Sequence, residues 1–219
     1  MVNDTLEGFV HPIMQQQLLL TVGVISDTHI PDRVDHLHPQ IIPVFRAAHV
    51  DQILHAGDIS VPSVLEELGQ VAPILAVRGN RDLIFDRSLP KLRLIELAGV
   101  KVALMHGHGG WINYLKDKMV YFRDGYQLER YLPKLLNTAP EARIYIFGHT
   151  HYPENFWREG KLIFNPGSAS SSISRRLSPS VGILRFYSGG NVEGKVIKML
   201  GLKIAYHQWV EDITNLKDS

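Results

Sequence analysis

A chain of 219 residues suits one domain with a substantial core. Hydrophobic residues make up 45% and charged residues 21%, and a formal net charge of +1 leaves no global field to draw nucleic acid or an anionic membrane. The absence of cysteine excludes disulfides and thiolate zinc sites and fits a reducing compartment. The first residues carry Asp4 and Glu7 and no basic n-region, so they do not read as a signal peptide, and a cytoplasmic setting is expected. Residues 1–17 read as an extension, 18–200 as one domain, and 201–219 as a tail.

The first strong element is Val22-Gly23-Val24-Ile25, preceded by Leu18-Leu19-Leu20 and closed by Ser26-Asp27-Thr28-His29. A short apolar run closed by polar residues predicts a buried strand, and it is far too short to span a bilayer. The loop Pro31 to Val34 follows, then a helix around Pro39 to His49. A second strand, Gln52 to His55, ends in Ala56-Gly57-Asp58. Pro62 sits near a helix start, with Val64, Leu65 and Leu68 at helical spacing. A third strand, Ile74 to Val77, ends in Arg78-Gly79-Asn80-Arg81-Asp82. Strands alternating with helices predict a parallel sheet.

The pattern then changes. Leu92 to Leu97 and Lys101 to Met105 read as a hairpin turning at Gly99, and the second strand ends in His106-Gly107-His108. Residues 111–137 read as mostly helical, broken near Gly125. Ile144 to Phe147 predicts a buried strand ending in Gly148-His149-Thr150-His151. Lys161 to Phe164 leads into Asn165-Pro166-Gly167-Ser168. Val181 to Tyr187 and Val192 to Met199 read as a hairpin turning at Gly189-Gly190. Two sheets packed face to face, with helices outside, accommodate this order.

Five strand ends therefore carry the same kind of donor: Asp27 and His29, Asp58, Asn80, His106, and His149 with His151. Oxygens and imidazoles in one cleft suit first-row divalent ions. The donors are too many for one ion with open positions and suit two ions that share a carboxylate. Glycine before Asp58, Asn80 and His149 allows tight turns and close approach.

Asp27-x-His29, Gly57-Asp58, Gly79-Asn80-x-Asp82, Gly148-His149-x-His151 and Asn165-Pro166-Gly167-Ser168 together resemble the calcineurin-like metallophosphoesterase superfamily. His106-Gly107-His108 and the compact chain look most like its small YfcE-type phosphodiesterases. The resemblance runs from 27 to 168. It implies an α/β fold, a four-layer αββα sandwich of two mixed sheets flanked by helices. It further implies that Asp27, His29 and His151 hold one ion, that Asn80, His106 and His149 hold a second, and that Asp58 bridges them. The ions expected are Mn, Ni, Fe or Zn. The implied reaction is attack of a metal-bound hydroxide on the phosphorus of a phosphodiester. Asp58, Asn80, Arg81 and His108 are the expected catalytic residues, and Asp82 is expected to orient a neighbour.

One position departs from the family pattern. Many relatives have histidine after the asparagine, where this chain has Arg81. A guanidinium is a poor general acid but its fork suits phosphate oxygens, so Arg81 is expected to clamp substrate without transferring a proton. The expected partner is a small phosphoester; a nucleic-acid duplex and a membrane are not expected, and the resemblance allows a homo-oligomer. The alternatives are a phosphomonoesterase, a cyclic-nucleotide phosphodiesterase, or a non-catalytic scaffold like the retromer subunit of this fold. The scaffold predicts gaps among the ligands, and all seven positions here hold competent donors.

Overall fold

A computed structural model describes residues 16–82, 88–107, 127–170 and 177–212, without the side chain of residue 131. His108, the aromatic residues Trp111, Tyr114 and Tyr121, the expected break at Gly125, and the pair Arg175 and Arg176 lie outside the described residues. In chain order the elements are β1 (Leu18–Ile25), α1 (Ile41–Ala47), β2 (Gln52–His55), α2 (Pro62–Gly69) and β3 (Ile74–Ala76). Then come β4 (Leu92–Leu97), β5 (Val100–Met105), α3 (Leu128–Thr138), β6 (Ile144–Ile146), β7 (Glu154–Arg158) and β8 (Lys161–Asn165). The chain closes with β9 (Ser180–Tyr187), β10 (Val192–Lys198), β11 (Leu202–Ala205) and β12 (Gln208–Glu211).

Two five-stranded sheets form, in the orders β10-β9-β1-β2-β3 and β4-β5-β6-β8-β7. In the first, β1, β2 and β3 run parallel, while β9 is antiparallel to β1 and β10 to β9. In the second, β5, β6 and β8 run parallel between antiparallel edges β4 and β7. Parallel strands thus run from the centre to one edge of the first sheet and form the centre of the second, rather than belonging to the first half of the chain alone. The strand β7 carries no clean apolar alternation, because it is a half-exposed edge, and the sequence reading passed over it.

Three apolar layers explain the stacking. Ile41 and Phe45 of α1 with Val64 and Leu68 of α2 cover Ile25, Ile53 and Ile183 on one face of the first sheet. Val22, Val24, Leu54 and Phe186 of that sheet's other face meet Val102, Leu104, Ile146 and Phe164 of the second. Leu132 and Leu135 of α3 pack on Met105, Tyr145 and Ile163 behind it. The result is helix, sheet, sheet, helix, the four-layer α/β sandwich. No helix among the described residues is long and apolar enough to cross a membrane.

The stretch after residue 200, expected as a tail, holds the two-stranded hairpin β11-β12. It docks on the loop that follows β1. The His207 Nδ1–H donates to Pro31 O at 3.0 Å, the Asp35 N–H donates to His207 O at 2.9 Å, and Trp209 Nε1–H donates to His36 O at 2.9 Å.

Candidate metal centre

The six parallel strands deliver their carboxyl ends to one cleft between the sheets, where loops line a crevice. The loops after β1 and β2 are zipped together: Asp27 N–H donates to Gly57 O at 2.9 Å and His29 N–H to Asp58 O at 3.1 Å. The loop after β3 is tied to them by Asp82. Its buried carboxylate accepts the backbone N–H groups of Asp58, Ile59, Ser60 and Gly79 at 2.7–3.0 Å. Burial raises the Asp82 pKa, and those N–H groups offset this only in part. Gly79 sits so close to Asp58 that a Cβ there would lie 2.2 Å from Asp58 Oδ1. Gly57, at φ +92°, would place a Cβ 2.8 Å from Gly79 N and from His106 Nδ1. Glycine at these two positions is a packing requirement of the cleft.

Two groups of donors converge. In the first, Asp27 Oδ1 lies 3.2 Å from His151 Nε2 and 3.8 Å from His29 Nε2, and the two Nε2 atoms are 3.2 Å apart. In the second, His106 Nε2 lies 3.5 Å from Asp58 Oδ1, Asn80 Nδ2 lies 3.3 Å from His149 Nδ1, and the two imidazole rings are 5.2 Å apart. Asp58 Oδ2 faces the first group, 3.9 Å from His29 Nε2. The sets Asp27, His29, His151 and Asp27, Asp58, His106 are each compact enough to hold a metal ion. Both carboxylates therefore stand between the groups.

The donors are held from behind. The His106 Nδ1–H donates to Ala56 O at 2.7 Å, which turns Nε2 toward the cleft. Asp27 Oδ2 accepts from the His149 N–H and lies 2.7 Å from Ser26 Oγ, and the hydroxyls of Ser168 and Ser170 donate to Asp27 O. Asn165 Nδ2 donates to Gly148 O and to Thr150 Oγ1. The Asn165-Pro166-Gly167-Ser168 loop therefore buttresses the Asp27 and His149 turns. Five of the seven expected ligand residues, Asp27, His29, Asp58, His149 and His151, have left-handed φ between 50° and 69°. Each costs about 1–2 kcal/mol relative to an ordinary conformation, and such strain persists only where surrounding bonds over-determine it.

Charge is unevenly distributed over the two groups. Burial pushes the His29 pKa down to about 3, against the pull of Asp58 and Asp27, so its ring is neutral. Burial also opposes charge on His106, but Asp58 beside it and Asp27 hold its imidazolium up to about 9. Burial opposes ionisation of Asp58 and Asp27 too; the imidazoles of His106 and His151 outweigh it and keep both carboxyls well below the usual range.

The residues present fit divalent ions. Asn80 Oδ1 is buried with no hydrogen-bond partner, a cost of about 1–3 kcal/mol, and buried Asp27 Oδ1 has only the imidazoles of His151 and His29 beside it. Two buried oxygen acceptors among convergent imidazoles are what a cation would satisfy.

A family description, calcineurin-like phosphoesterase superfamily domain, matches residues 20–188. The chain belongs to this superfamily. A probable metallophosphoesterase of Methanothermobacter thermautotrophicus is 37% identical over 179 residues, 82% of this chain and 92% of the relative. Solved structures share the fold. Vacuolar protein sorting 29 from Cryptosporidium parvum is similar with a TM-score of 0.62 at 20% identity, covering 84% of this chain and 100% of that one. An archaeal phosphodiesterase is similar with a TM-score of 0.56 at 21% identity, covering 81% of this chain and 100% of that one.

Arg81 and Arg33 stand at the rim. The Arg81 N–H donates to Asp58 Oδ1 at 2.9 Å, while its guanidinium pairs with Asp32. The guanidinium is thus turned to the loop after β1, not into the donor groups. Arg33, in that loop, was passed over at the sequence level; its Nη1 lies 3.3 Å from His151 Nδ1. The only signal was a basic residue four positions beyond His29. His55, by contrast, is a buried histidine whose Nδ1 accepts the Gly57 N–H at 3.1 Å.

Proposed function

We propose that the protein is a metal-dependent phosphodiesterase that holds two divalent ions, Asp27, His29 and His151 taking one, Asn80, His106 and His149 the other, and Asp58 both. The observation that carries this reading is the pair of buried oxygens aimed among imidazoles, Asp27 Oδ1 and Asn80 Oδ1, one in each group. Bound there, Mn, Ni, Fe or Zn would make water acidic enough to serve as a nucleophile near neutral pH and would offset phosphate charge.

The chain's own residues do the rest. Asp27 and Asp58 remain ionised and supply the negative charge that two cations need. Asp82 fixes the β2 and β3 loops so that Asp58 and Asn80 keep their spacing. Arg81, permanently protonated, would have to leave Asp32 to offer N–H groups to phosphate oxygens, and has no proton for a leaving group. A small phosphoester with a good leaving group is therefore the favoured substrate.

The fold alone does not separate an enzyme from a scaffold, because a vacuolar sorting protein shares it. The filled donor set favours the enzyme. The test is hydrolysis of a bis-aryl and a mono-aryl phosphate by metal-stripped protein, before and after adding Mn, Ni or Zn. Diester cleavage that appears only with metal supports the proposal. No turnover of either ester with two ions bound would shift the reading to the scaffold.

A further inference from the structure

Thr28 stands between two expected ligands, Asp27 and His29, and its hydroxyl reaches across to the loop after β2. Thr28 Oγ1 lies 3.1 Å from Ile59 O, 3.3 Å from Asp58 O and 3.4 Å from His55 Nε2. His55 is the last residue of β2, opposite Ile25 of β1 and Ala76 of β3. Both Thr28 and His55 are buried, so their polar atoms depend on one another and on nearby backbone for partners.

The proton positions follow from donor and acceptor roles. A backbone N–H only donates, so His55 Nδ1, which receives the Gly57 N–H at 3.1 Å, carries no proton. Burial pushes the His55 pKa down to about 3, so the ring is neutral and its one proton rests on Nε2. Nε2–H therefore donates to Thr28 Oγ1. The Thr28 hydroxyl in turn gives its proton to the carbonyls of Ile59 and Asp58, which only accept. The chain of bonds leaves the β2 loop at Gly57, passes through His55 and Thr28, and returns to the same loop at Asp58 and Ile59.

This closure completes the hold on Asp58. Asp82 takes the N–H groups of Asp58 and Ile59, and Thr28 takes their carbonyls. Asp82 ties the β2 loop to the β3 loop, whereas Thr28 ties it to the β1 loop, where Asp27 and His29 sit. Asp27, His29 and Asp58 all have left-handed φ, which persists only where surrounding bonds over-determine it. Asp58 is also the carboxylate that faces both donor groups, with Oδ2 3.9 Å from His29 Nε2 and Oδ1 3.5 Å from His106 Nε2. A slip between the β1 and β2 loops would change the first of these spacings directly.

We propose that Thr28, backed by His55, is a positioning residue that holds Asp58 at the spacing from Asp27 and His29 that two ions require. This rests on the two-ion phosphoesterase reading above.

The test compares Thr28→Val, Thr28→Ser and Thr28→Ala in the full-length protein. Mn is titrated into metal-stripped protein by calorimetry, and kcat and KM are measured for a bis-aryl phosphate. Valine keeps the volume and loses the hydroxyl; serine keeps the hydroxyl and loses the methyl. Thr28→Val is expected to bind Mn about 10- to 100-fold more weakly than wild type, and to lose kcat at saturating Mn with KM little changed. Thr28→Ser should stay within a few-fold of wild type in both. Thr28→Ala set against Thr28→Ser isolates the hydroxyl at a shared loss of the methyl, and answers the question if the valine variant does not fold. Removing the imidazole in His55→Phe should weaken Mn binding in the same direction. Wild-type Mn affinity in the valine or alanine variant would overturn the proposal. So would the reverse order, serine weaker than valine, which would make Thr28 a packing residue. Wild type that binds two Mn ions but cleaves no ester overturns the phosphoesterase reading instead, and the Mn titrations still decide the Thr28 assignment.

Discussion

The two donor groups differ in the state of their histidines. Around Asp27, His29 is kept neutral by burial, with a pKa near 3. Around Asp58, His106 is an imidazolium up to about pH 9, because a carboxylate 3.5 Å away outweighs the same burial. One group is ready for a cation, and the other must first lose a proton. Two equally buried histidines, His29 and His106, thus end in opposite charge states, decided by how near a carboxylate lies.

Changes at Asp58 should have the largest effect, since its two oxygens face the two groups separately. Asp58→Asn keeps the shape and removes the charge, and should lower diesterase activity by about 100-fold or more. Activity within a few-fold of wild type at saturating metal would contradict a shared carboxylate. Asp82→Ala comes next. It strips four buried N–H groups of their acceptor and should destabilise the protein by about 3–5 kcal/mol. A chemical denaturation curve with an unmoved midpoint would show that the loops need no such tie.

The smaller effect is on pH, and its sign differs between the groups. In metal-free protein the folded pKa of His106 lies above its ordinary 6.5. The stabilisation from its pairing with Asp58 is therefore complete below about pH 6.5 and lost as pH rises through about 9. His29 has the opposite shift: its contribution is present above about pH 6.5 and lost as pH falls toward 3. Binding at the His106 group should gain up to about tenfold in affinity per pH unit between 7 and 9, whereas binding at the His29 group should not. Calorimetric titrations of Mn at pH 7, 8 and 9 would check this, and parallel slopes for both ions would remove the asymmetry.

The convergence of the expected donors and the four-layer order could be read in the sequence because each donor sits just after an apolar strand, a local signal. Asp82 could be read as an orienting residue from the Gly79-Asn80-x-Asp82 spacing, though not its four N–H partners. Arg33 and the β11-β12 hairpin could not be read. Their placement rests on contacts across more than a hundred residues, such as Arg33 with His151 and Trp209 with His36. No periodicity encodes such pairs. β7 escaped for a different reason: an edge strand with one exposed face has no need of apolar alternation.

The central claim is that two ions share Asp58. Native mass spectrometry of Mn-loaded protein tests it directly. The account predicts two ions on wild type, one on His29→Ala, and loss from both positions on Asp58→Asn. Two ions retained by both variants would contradict it.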